Sequence, residues 1–246
     1  MIKIIDNVTI NISFVEEKVI LSKEIESNID TFWQQQKLEN PKLWNGALLC
    51  VDDFYMYNDL ITLTCKRTSY SHHLYDERIG LPDKYACRNL VVGCLLETSD
   101  NFYVVGEMSE FSSFPCGLQI IGGNVDDNDI NNGKINIFNA IQRECREEVN
   151  IDLFDTTQVD SFKFRYIILP EHSHAYFFVA KAKLAMNMEQ FKEYFQSYLD
   201  YLRKNNLEIE FRKIHFIPKK EAITILCQME NPKRTYLMEL LETDNK

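Results

Sequence analysis

The chain begins with a partly alternating run of apolar and polar residues at 8–15, which is typical of a strand with one buried face. Helical spacing replaces this alternation further on. Ser22 is suited to cap a helix, and Asn40 followed by Pro41 is suited to end it, because the residue before a proline disfavours helical backbone. The apolar stripe of this predicted helix consists of Ile25, Ile29, Phe32 and Trp33.

Two β-rich regions then predict hairpins. The first spans 47–65 and contains the turn signal Asn58-Asp59 between its two apolar runs. The second spans 90–108 and has four polar turn-forming residues at its centre. The polar segment 68–89 between the hairpins shows no periodicity, so it predicts irregular backbone.

The rest of the chain mixes strand and helix patterns without a repeat or a low-complexity linker. The predicted segments are a glycine-bearing run at 116–125, a polar loop at 126–134, helices at 136–149, 190–204 and 232–242, and strands at 161–169, 175–184 and 208–217. This mixture predicts a fold of the α/β or α+β class.

Composition and charge narrow the class of protein. Hydrophobic residues make up 45% and aromatic residues 12% of the 246 positions, which is enough for a core and excludes global disorder. A net charge of −10 disfavours general nucleic-acid binding, which needs clustered cations. We see no leader-like start and no apolar run of about 18 residues. The 7 scattered cysteines predict free thiols, so we expect a cytoplasmic protein without membrane contact.

The candidate chemistry lies in the predicted helix at 136–149. At about 100° per residue, Glu144, Glu147 and Glu148 fall on one flank of this helix. Next to them, a stripe that faces the core consists of Phe138, Ile141, Cys145 and Val149. Like charges at these spacings cost a few tenths of a kcal/mol each. Arg143 offsets part of that cost, and a divalent cation such as Mg²⁺ would offset more.

An acidic run on an amphipathic helix is most often a solvated face, and alone it would be interpreted in that way. Gly122-Gly123, which ends an apolar strand before the helix, changes the interpretation. Glycines allow the backbone to come close to a ligand, and their carbonyl groups can join a metal shell. The two features together favour a metal site that binds phosphate.

These residues resemble the Nudix box, the signature of hydrolases that cleave a nucleoside diphosphate linked to another moiety. The matching residues are Arg143, Glu144, Cys145, Glu147, Glu148 and Ile151. The resemblance implies a Nudix α/β/α sandwich with a mixed sheet at 89–246, preceded by a β-rich N-terminal extension at 1–88. It also implies an Mg²⁺ or Mn²⁺ cofactor. The implied metal ligands are Glu144, Glu147, Glu148 and the carbonyl of Gly123. The implied catalytic residues are the three glutamates and Arg143, and the implied substrate-binding residues are Gly122 and Gly123.

The sequence departs from the Nudix box in two places. Asn150 replaces the final glycine, a mild change because asparagine also adopts the left-handed backbone of a helix end. Gly123 lies about six residues farther from Arg143 than usual, and the intervening loop has no glutamate at the usual place. Either Asp127 or Asp129 substitutes for that glutamate, or the position is lost.

A second resemblance, covering about 40–230, is to the Nudix subfamily that hydrolyses UDP-glucose and UDP-galactose. It is carried by the runs LWNGALLCVDD, LITLTCKRTSY and RNLVVGCLLETSDNFYVVGEM. It implies a UDP-sugar as the first candidate substrate, with Tyr70 and Glu171 as substrate-binding residues. The alternatives are that Tyr70, Tyr75 and Trp44 only pack the extension on the core, and that Glu171 only occupies a loop tip.

In the implied reaction, water attacks one phosphorus of the diphosphate and the other phosphate leaves. The general base stays open between a helix glutamate, Glu171, Glu208 and Glu210. The expected partner is a small molecule linked to a nucleoside diphosphate, not a nucleic acid or a membrane. Two other functions stay open: a Nudix module that binds a nucleotide without turnover, and a Nudix enzyme that removes damaged nucleoside triphosphates.

Overall fold

The computed structural model describes residues 1–170 and 174–246. The strands are β1 Ile2–Ile4, β2 Thr9–Lys18, β3 Ala47–Tyr57, β4 Leu60–Ser69, β5 Asn89–Glu97, β6 Phe102–Met108, β7 Leu118–Gln119, β8 Ile121–Asn124, β9 Ile130–Asn131, β10 Lys134–Ile135, β11 Val159–Ile168, β12 Ala175–Leu184 and β13 Phe211–Pro218. The helices are α1 Lys23–Glu39, α2 Tyr70–Ile79, α3 Ile137–Val149, α4 Met188–Lys204, α5 Ala222–Gln228 and α6 Leu237–Asp244.

The central sheet is mixed and lies between two layers of helices. β5 runs parallel to β12 and antiparallel to β8, while β11 and β1 extend the sheet beyond β12. Successive residues of β5 face opposite sides, as the pleat of a strand requires. Val92 joins one core with Ile141 of α3 and Phe191 of α4, and Leu95 joins a second core with Leu240 of α6. The predicted α/β/α sandwich with a mixed sheet is confirmed.

The β-rich N-terminal part is continuous with this sheet. β3 and β4 form the predicted antiparallel hairpin, and β2 lies parallel to β4. β3 reaches the central sheet where Cys50 is paired with Asn89. β1, although it belongs to the predicted extension, pairs with β11. The domain boundary at 88 stays a prediction.

The prediction of irregular backbone at 68–89 was wrong, because this segment contains α2. The helix begins after Ser69, whose hydroxyl accepts the N–H of His72. His72 is buried between Thr68 Oγ1 at 2.7 Å and the carbonyl of Tyr85 at 2.8 Å. Asp76, also buried, accepts two loop N–H groups. The inward face of α2 is therefore partly polar, which hides the apolar stripe that marks most helices.

The polar loop predicted at 126–134 also contains regular structure. A 3₁₀ turn at Asp127–Asp129 precedes the short hairpin of β9 and β10. Asn132 and Gly133 both have positive φ, at 50° and 71°, as the two central residues of a type I′ hairpin turn require. The Asn-Gly pair was the signal in the sequence for this hairpin.

The second predicted hairpin is only partly formed. β5 and β6 pair at Glu97 and Tyr103 alone, after which β8 occupies the edge of β5. β6 instead pairs with β13 along its length. The C-terminal helix predicted at 232–242 begins later, at Leu237, and ends at Asp244. The additional helix α5 precedes it in the chain.

Most of the cysteines are buried. All 7 cysteines are free, and 5 of them are buried. Among the described residues, no helix is long and apolar enough to span a membrane. The prediction of unpaired core thiols is therefore confirmed for most of the cysteines.

Candidate active site

Helix α3 places two of the three predicted glutamates inside the protein. The helix begins at Asn136, whose side chain accepts the N–H groups of Phe138 and Asn139, and it ends at Asn150 with φ of 58°. Glu144 and Glu148 are 5% and 3% exposed, and the Glu147 side chain is 52% exposed. The acidic run is therefore not a solvated face, because two of its three carboxylates are removed from water.

The core stripe of α3 is formed as predicted except at its first position. Ile141, Cys145 and Val149 are fully buried in the main core. Phe138 is 45% exposed and packs edge-on against Phe164, with ring centroids 4.6 Å apart. Phe138 thus lies at the surface, and the candidate site lies on the C-terminal half of α3.

The two predicted glycines bring the sheet backbone against the helix carboxylates. The N–H of Gly122 donates to Glu148 Oε2 at 2.7 Å. Gly122 has φ of +144°, and a Cβ there would lie 2.2 Å from the carbonyl oxygen of Val92. A Cβ on Gly123 would lie 2.7 Å from Glu144 Oε2. A side chain at Gly122 would therefore collide with the backbone of β5, and one at Gly123 would displace the Glu144 carboxylate.

Arg143 is the cation that contacts this acidic group. Its guanidinium donates to Glu144 Oε1 at 2.7 Å and to Glu147 Oε2 at 3.3 Å. It also donates to Asp129 Oδ2 and to the carbonyl of Asn124, each at 3.1 Å. Arg143 therefore contacts Asp129 rather than Asp127, and its role in orienting the carboxylates stays a prediction.

Burial and mutual repulsion raise the pKa of the carboxyl groups at this site. Burial raises the pKa of Glu144 to about 8, with Arg143 opposing the shift and Glu210 adding to it. Burial, followed by the charges of Glu210 and Glu144, holds the pKa of Glu148 well above its usual range. Glu148 Oε1 is shielded from solvent and has no hydrogen-bond partner among the described residues. Such a group is costly unless a cation or a proton joins it.

Glu210 is a fourth acidic group at this site. It lies just before β13, and its carbonyl accepts the N–H of Ser109 at 2.7 Å. Its own pKa is raised, first by burial and then by Glu208 and Glu147. Of the open candidates for the general base, Glu208 is exposed and Glu171 falls outside the described residues. The helical period that identified α3 gave no signal for Glu210, which is more than sixty positions from Glu144 in the chain.

Tyr70 lies where the N-terminal part meets the core. It is the first residue of α2, and its ring contacts Trp33 edge-on with centroids 6.1 Å apart. Burial raises its pKa, while a hydrogen bond with Ser113 of the core opposes that shift. Tyr75 packs on Phe32 within the extension. The substrate-binding role of Tyr70 stays a prediction.

The donor set suits a hard divalent cation. Across 1–170 and 174–246, no three carboxylate, imidazole or thiol groups converge closely enough to hold a metal ion. Glu144 and Glu148 nevertheless supply carboxylate oxygens, the ligands that Mg²⁺ prefers, and one oxygen of Glu148 is unpartnered. The backbone of Gly123 lies against Glu144. Glu144 is held by Arg143 in this arrangement.

Comparison with known proteins gives structural similarity only. No family model matches the chain, and no curated protein matches its sequence. Protein DR0079 from Deinococcus radiodurans is 15% identical, with a TM-score of 0.48, over 80% of this chain and 98% of that one. A Nudix hydrolase from Nitrosomonas europaea is 13% identical, with a TM-score of 0.36, over 64% of this chain and 87% of that one.

A third similar structure is the MutT protein from Methanosarcina mazei Go1. It is 14% identical, with a TM-score of 0.38, over 64% of this chain and 94% of that one. Similarity of this degree does not identify a reaction or a substrate, which have to be inferred from the chemistry of the site.

Proposed function

We propose that this protein is a Nudix-type pyrophosphohydrolase that depends on Mg²⁺ and accepts Mn²⁺. The observation that carries the proposal is the pair of buried carboxylates, Glu144 and Glu148, pressed against the backbone of Gly122 and Gly123. A protein stabilises buried carboxylates with cations, and Arg143 contacts Glu144 but not Glu148. A divalent cation bound here would complete the balance of charge.

Different residues would bind the metal ion and orient its carboxylate ligands. Glu144 and Glu148 would hold the cation, with Glu147 and the carbonyl of Gly123 completing the set. When bound, the metal would neutralise phosphate charge and lower the pKa of a water molecule. Arg143 keeps the side chains of Glu144 and Glu147 on one side of the helix. These contacts set the carboxylate geometry before a substrate arrives, which reduces reorganisation during the reaction.

The reaction adds water across the diphosphate. A water oxygen forms a bond to one phosphorus, the bridging P–O bond breaks, and the bridging oxygen leaves with the other phosphate. The proton of the attacking water passes to a carboxylate base. Glu210 is the candidate that its surroundings support best, because it lies near Glu144 and Glu148 and its pKa is raised above the usual range of a glutamate.

We infer a UDP-sugar as the first candidate substrate, which would yield UMP and a sugar 1-phosphate. Metal and phosphate contacts recognise any diphosphate, so selectivity for the base or the sugar requires further residues around the pocket. The N-terminal extension would provide such residues, because Tyr70 contacts Ser113 and Arg67 contacts Asp127 in the rest of the chain. A cytoplasmic location and the absence of nucleic-acid and membrane partners remain expectations from charge and composition.

Two alternative functions stay open. The altered first half of the Nudix box would suit a module that binds a nucleotide without turnover. A triphosphate-cleaning enzyme would use the same glutamates, but it would release pyrophosphate instead of a sugar phosphate.

The test is a panel of UDP-sugars, ADP-ribose and nucleoside triphosphates incubated with Mg²⁺ or Mn²⁺. Products are identified by mass spectrometry, with a metal-free reaction and a Glu148→Gln reaction alongside. We expect UMP and a sugar 1-phosphate in the metal-containing wild-type reactions only. Metal-independent turnover would contradict the proposal, and binding without any product would support the non-catalytic alternative.

A further inference from the structure

The loop between Gly123 and α3 holds a turn that has a direct connection to the site. In this turn, Asp126 accepts the N–H of Asn128 at 2.7 Å, and Asp129 Oδ2 accepts the N–H of Asp126 at 3.1 Å. The carbonyl of Asp129 accepts the N–H of Asn136, the cap of α3, at 3.0 Å. Asp129 is 4% exposed. The turn is therefore closed on itself and attached to the start of the helix.

Asp129 also binds the arginine of the site. Its Oδ2 lies 3.1 Å from the Arg143 guanidinium, and its side chain is only 3% exposed. The same guanidinium contacts Glu144 and Glu147. Arg143 is thus shared between an acid outside the metal-binding set and two acids inside it.

The N-terminal extension holds the same turn from the other side. Arg67 of β4 lies 3.0 Å from Asp127 Oδ1 and stacks over the ring of Phe14, with 4.9 Å to the centroid. The hairpin that follows the turn adds to the extension's sheet: β10 pairs with β2, and the N–H of Phe14 donates to the carbonyl of Gly133 at 2.9 Å. The extension therefore contacts this loop through both a side chain and the backbone.

We propose that Asp129 is a positioning residue for Arg143, and that Arg67 of the N-terminal extension holds the turn that presents it. This inference rests on the proposed hydrolase function. Asp129 binds one end of the guanidinium while the other end contacts Glu144 and Glu147, so Asp129 fixes where the arginine lies beside the two carboxylates. Without Asp129, the second end of the guanidinium is free to turn toward those carboxylates and to compete with the metal ion for their oxygens.

This arrangement explains why the loop between Gly123 and α3 is longer than in the Nudix box. Its extra residues form the turn and the β9–β10 hairpin, which reach the extension while still placing an acid against Arg143. In this way a sheet outside the metal site affects the geometry of the metal-binding carboxylates. The extension then acts on catalysis as well as on substrate choice.

The first test replaces Asp129 by asparagine, which keeps the shape and removes the charge. Binding of Mn²⁺ alone is measured by electron paramagnetic resonance, and turnover is measured with UDP-glucose. We expect Mn²⁺ affinity and kcat to fall about ten- to hundredfold, as for other groups that orient metal ligands, with KM nearly unchanged. Asp129→Glu, which keeps the charge, is expected to restore part of both losses.

The second test exchanges the charges of the outer pair. Arg67→Asp and Asp127→Arg are each expected to weaken Mn²⁺ binding about two- to fivefold, the scale of a half-exposed ion pair, and the double exchange to recover most of the loss. Arg88→Ala is the matched control, because Arg88 forms a comparable surface pair with Asp83 elsewhere in the extension. Melting temperatures verify that each variant is folded.

The outcomes separate this inference from the proposed function. If the wild-type protein neither binds Mn²⁺ nor cleaves any member of the panel, the proposed function fails and the inference fails with it. If the wild-type protein does both and folded Asp129→Asn is unchanged, only the inference is overturned. Failure of the double exchange to recover binding would overturn the role of Arg67.

Discussion

At the residue scale, neighbouring positions of α3 have opposite functions. Cys145 is buried among apolar side chains, whereas Glu144 and Glu148 beside it are buried carboxylates. The first stabilises the fold, and the other two destabilise it unless a cation or a proton is bound. Substitutions at these positions should therefore separate stability from activity.

We expect Glu148→Gln to abolish turnover while the fold stays intact or becomes slightly more stable in metal-free buffer. The change removes a metal ligand, and it also removes repulsion with Glu144 and Glu210. Turnover and melting temperature in EDTA are the two measurements. Glu193→Gln, at an exposed position of α4, is the control. Activity of Glu148→Gln within about threefold of the wild type would refute the metal assignment.

Cys145→Ala should have the reverse effect. Cys145 has no exposed surface and packs in the main core, so its loss leaves a small cavity. We expect a decrease of about 1 to 2 kcal/mol in the free energy of unfolding, with most of the activity retained. Urea unfolding and a turnover assay measure the two effects. Complete loss of activity in a well-folded variant would show that Cys145 belongs to the chemistry.

At the scale of elements, buried charges attach the last helix to the sheet. Asp244, in the last turn of α6, lies 2.7 Å from Lys181 of β12 and 2.8 Å from Lys219. It also accepts the hydroxyl of Tyr103 at 2.6 Å. Burial alone would raise the pKa of Asp244, but these partners lower it from its usual 3.8 to about 2.

This shift predicts how stability depends on pH. Because the pKa of Asp244 is lower in the folded than in the unfolded chain, its contribution is complete above about pH 4 and is lost as the pH falls toward 2. We expect Asp244→Asn to lower the free energy of unfolding by about 2 kcal/mol at pH 7 and to change it little near pH 2.

Urea unfolding across this pH range tests the prediction, with the exposed Asp200→Asn of α4 as control. An Asp244→Asn deficit that is equally large at pH 2 and pH 7 would contradict it.

At the scale of the whole molecule, the N-terminal extension and the rest of the chain share one hydrophobic core. Ile12, Leu49 and Leu63 of the N-terminal strands lie in the same core cluster as Ile141 of α3. Deleting residues 1–88 would expose that cluster and remove β1 from the edge of β11. We expect an insoluble or strongly destabilised protein, because the apolar surface that the deletion exposes on the core cannot remain bare in water.

Expression yield, solubility and thermal unfolding measure the effect of the deletion. If the truncated chain stays soluble and keeps both its rate and its substrate preference, the extension is not part of the site. The UDP-sugar assignment would then lose its main support.

A milder change at the same boundary concerns substrate selectivity. Tyr70→Ala is expected to raise KM for the preferred substrate more than it lowers kcat, because it removes binding that is equal in the ground state and the transition state. Steady-state kinetics measure both constants. Tyr57→Ala, at an exposed position of the β3–β4 hairpin, is the control. A fall in kcat with unchanged KM would contradict a binding role.

The sequence by itself determined the features that depend on local spacing. Helix α3 could be predicted from its period and its asparagine ends, because these interactions join residues within a few positions of one another. Gly122, Gly123 and the acidic run are likewise neighbours in the chain or along one helix face. Their residue types alone indicated a site for a cation and a phosphate.

Only the tertiary structure decided which distant groups meet at that site. Helix α2 was missed because its buried polar residues, such as His72, are satisfied by partners outside the helix. Glu210 and Arg67 lie far from α3 in the chain, and their positions beside it depend on strand pairing that local patterns do not specify. Long-range pairing is set by how all the elements bury their apolar faces together, so it follows from the whole fold and not from any one segment.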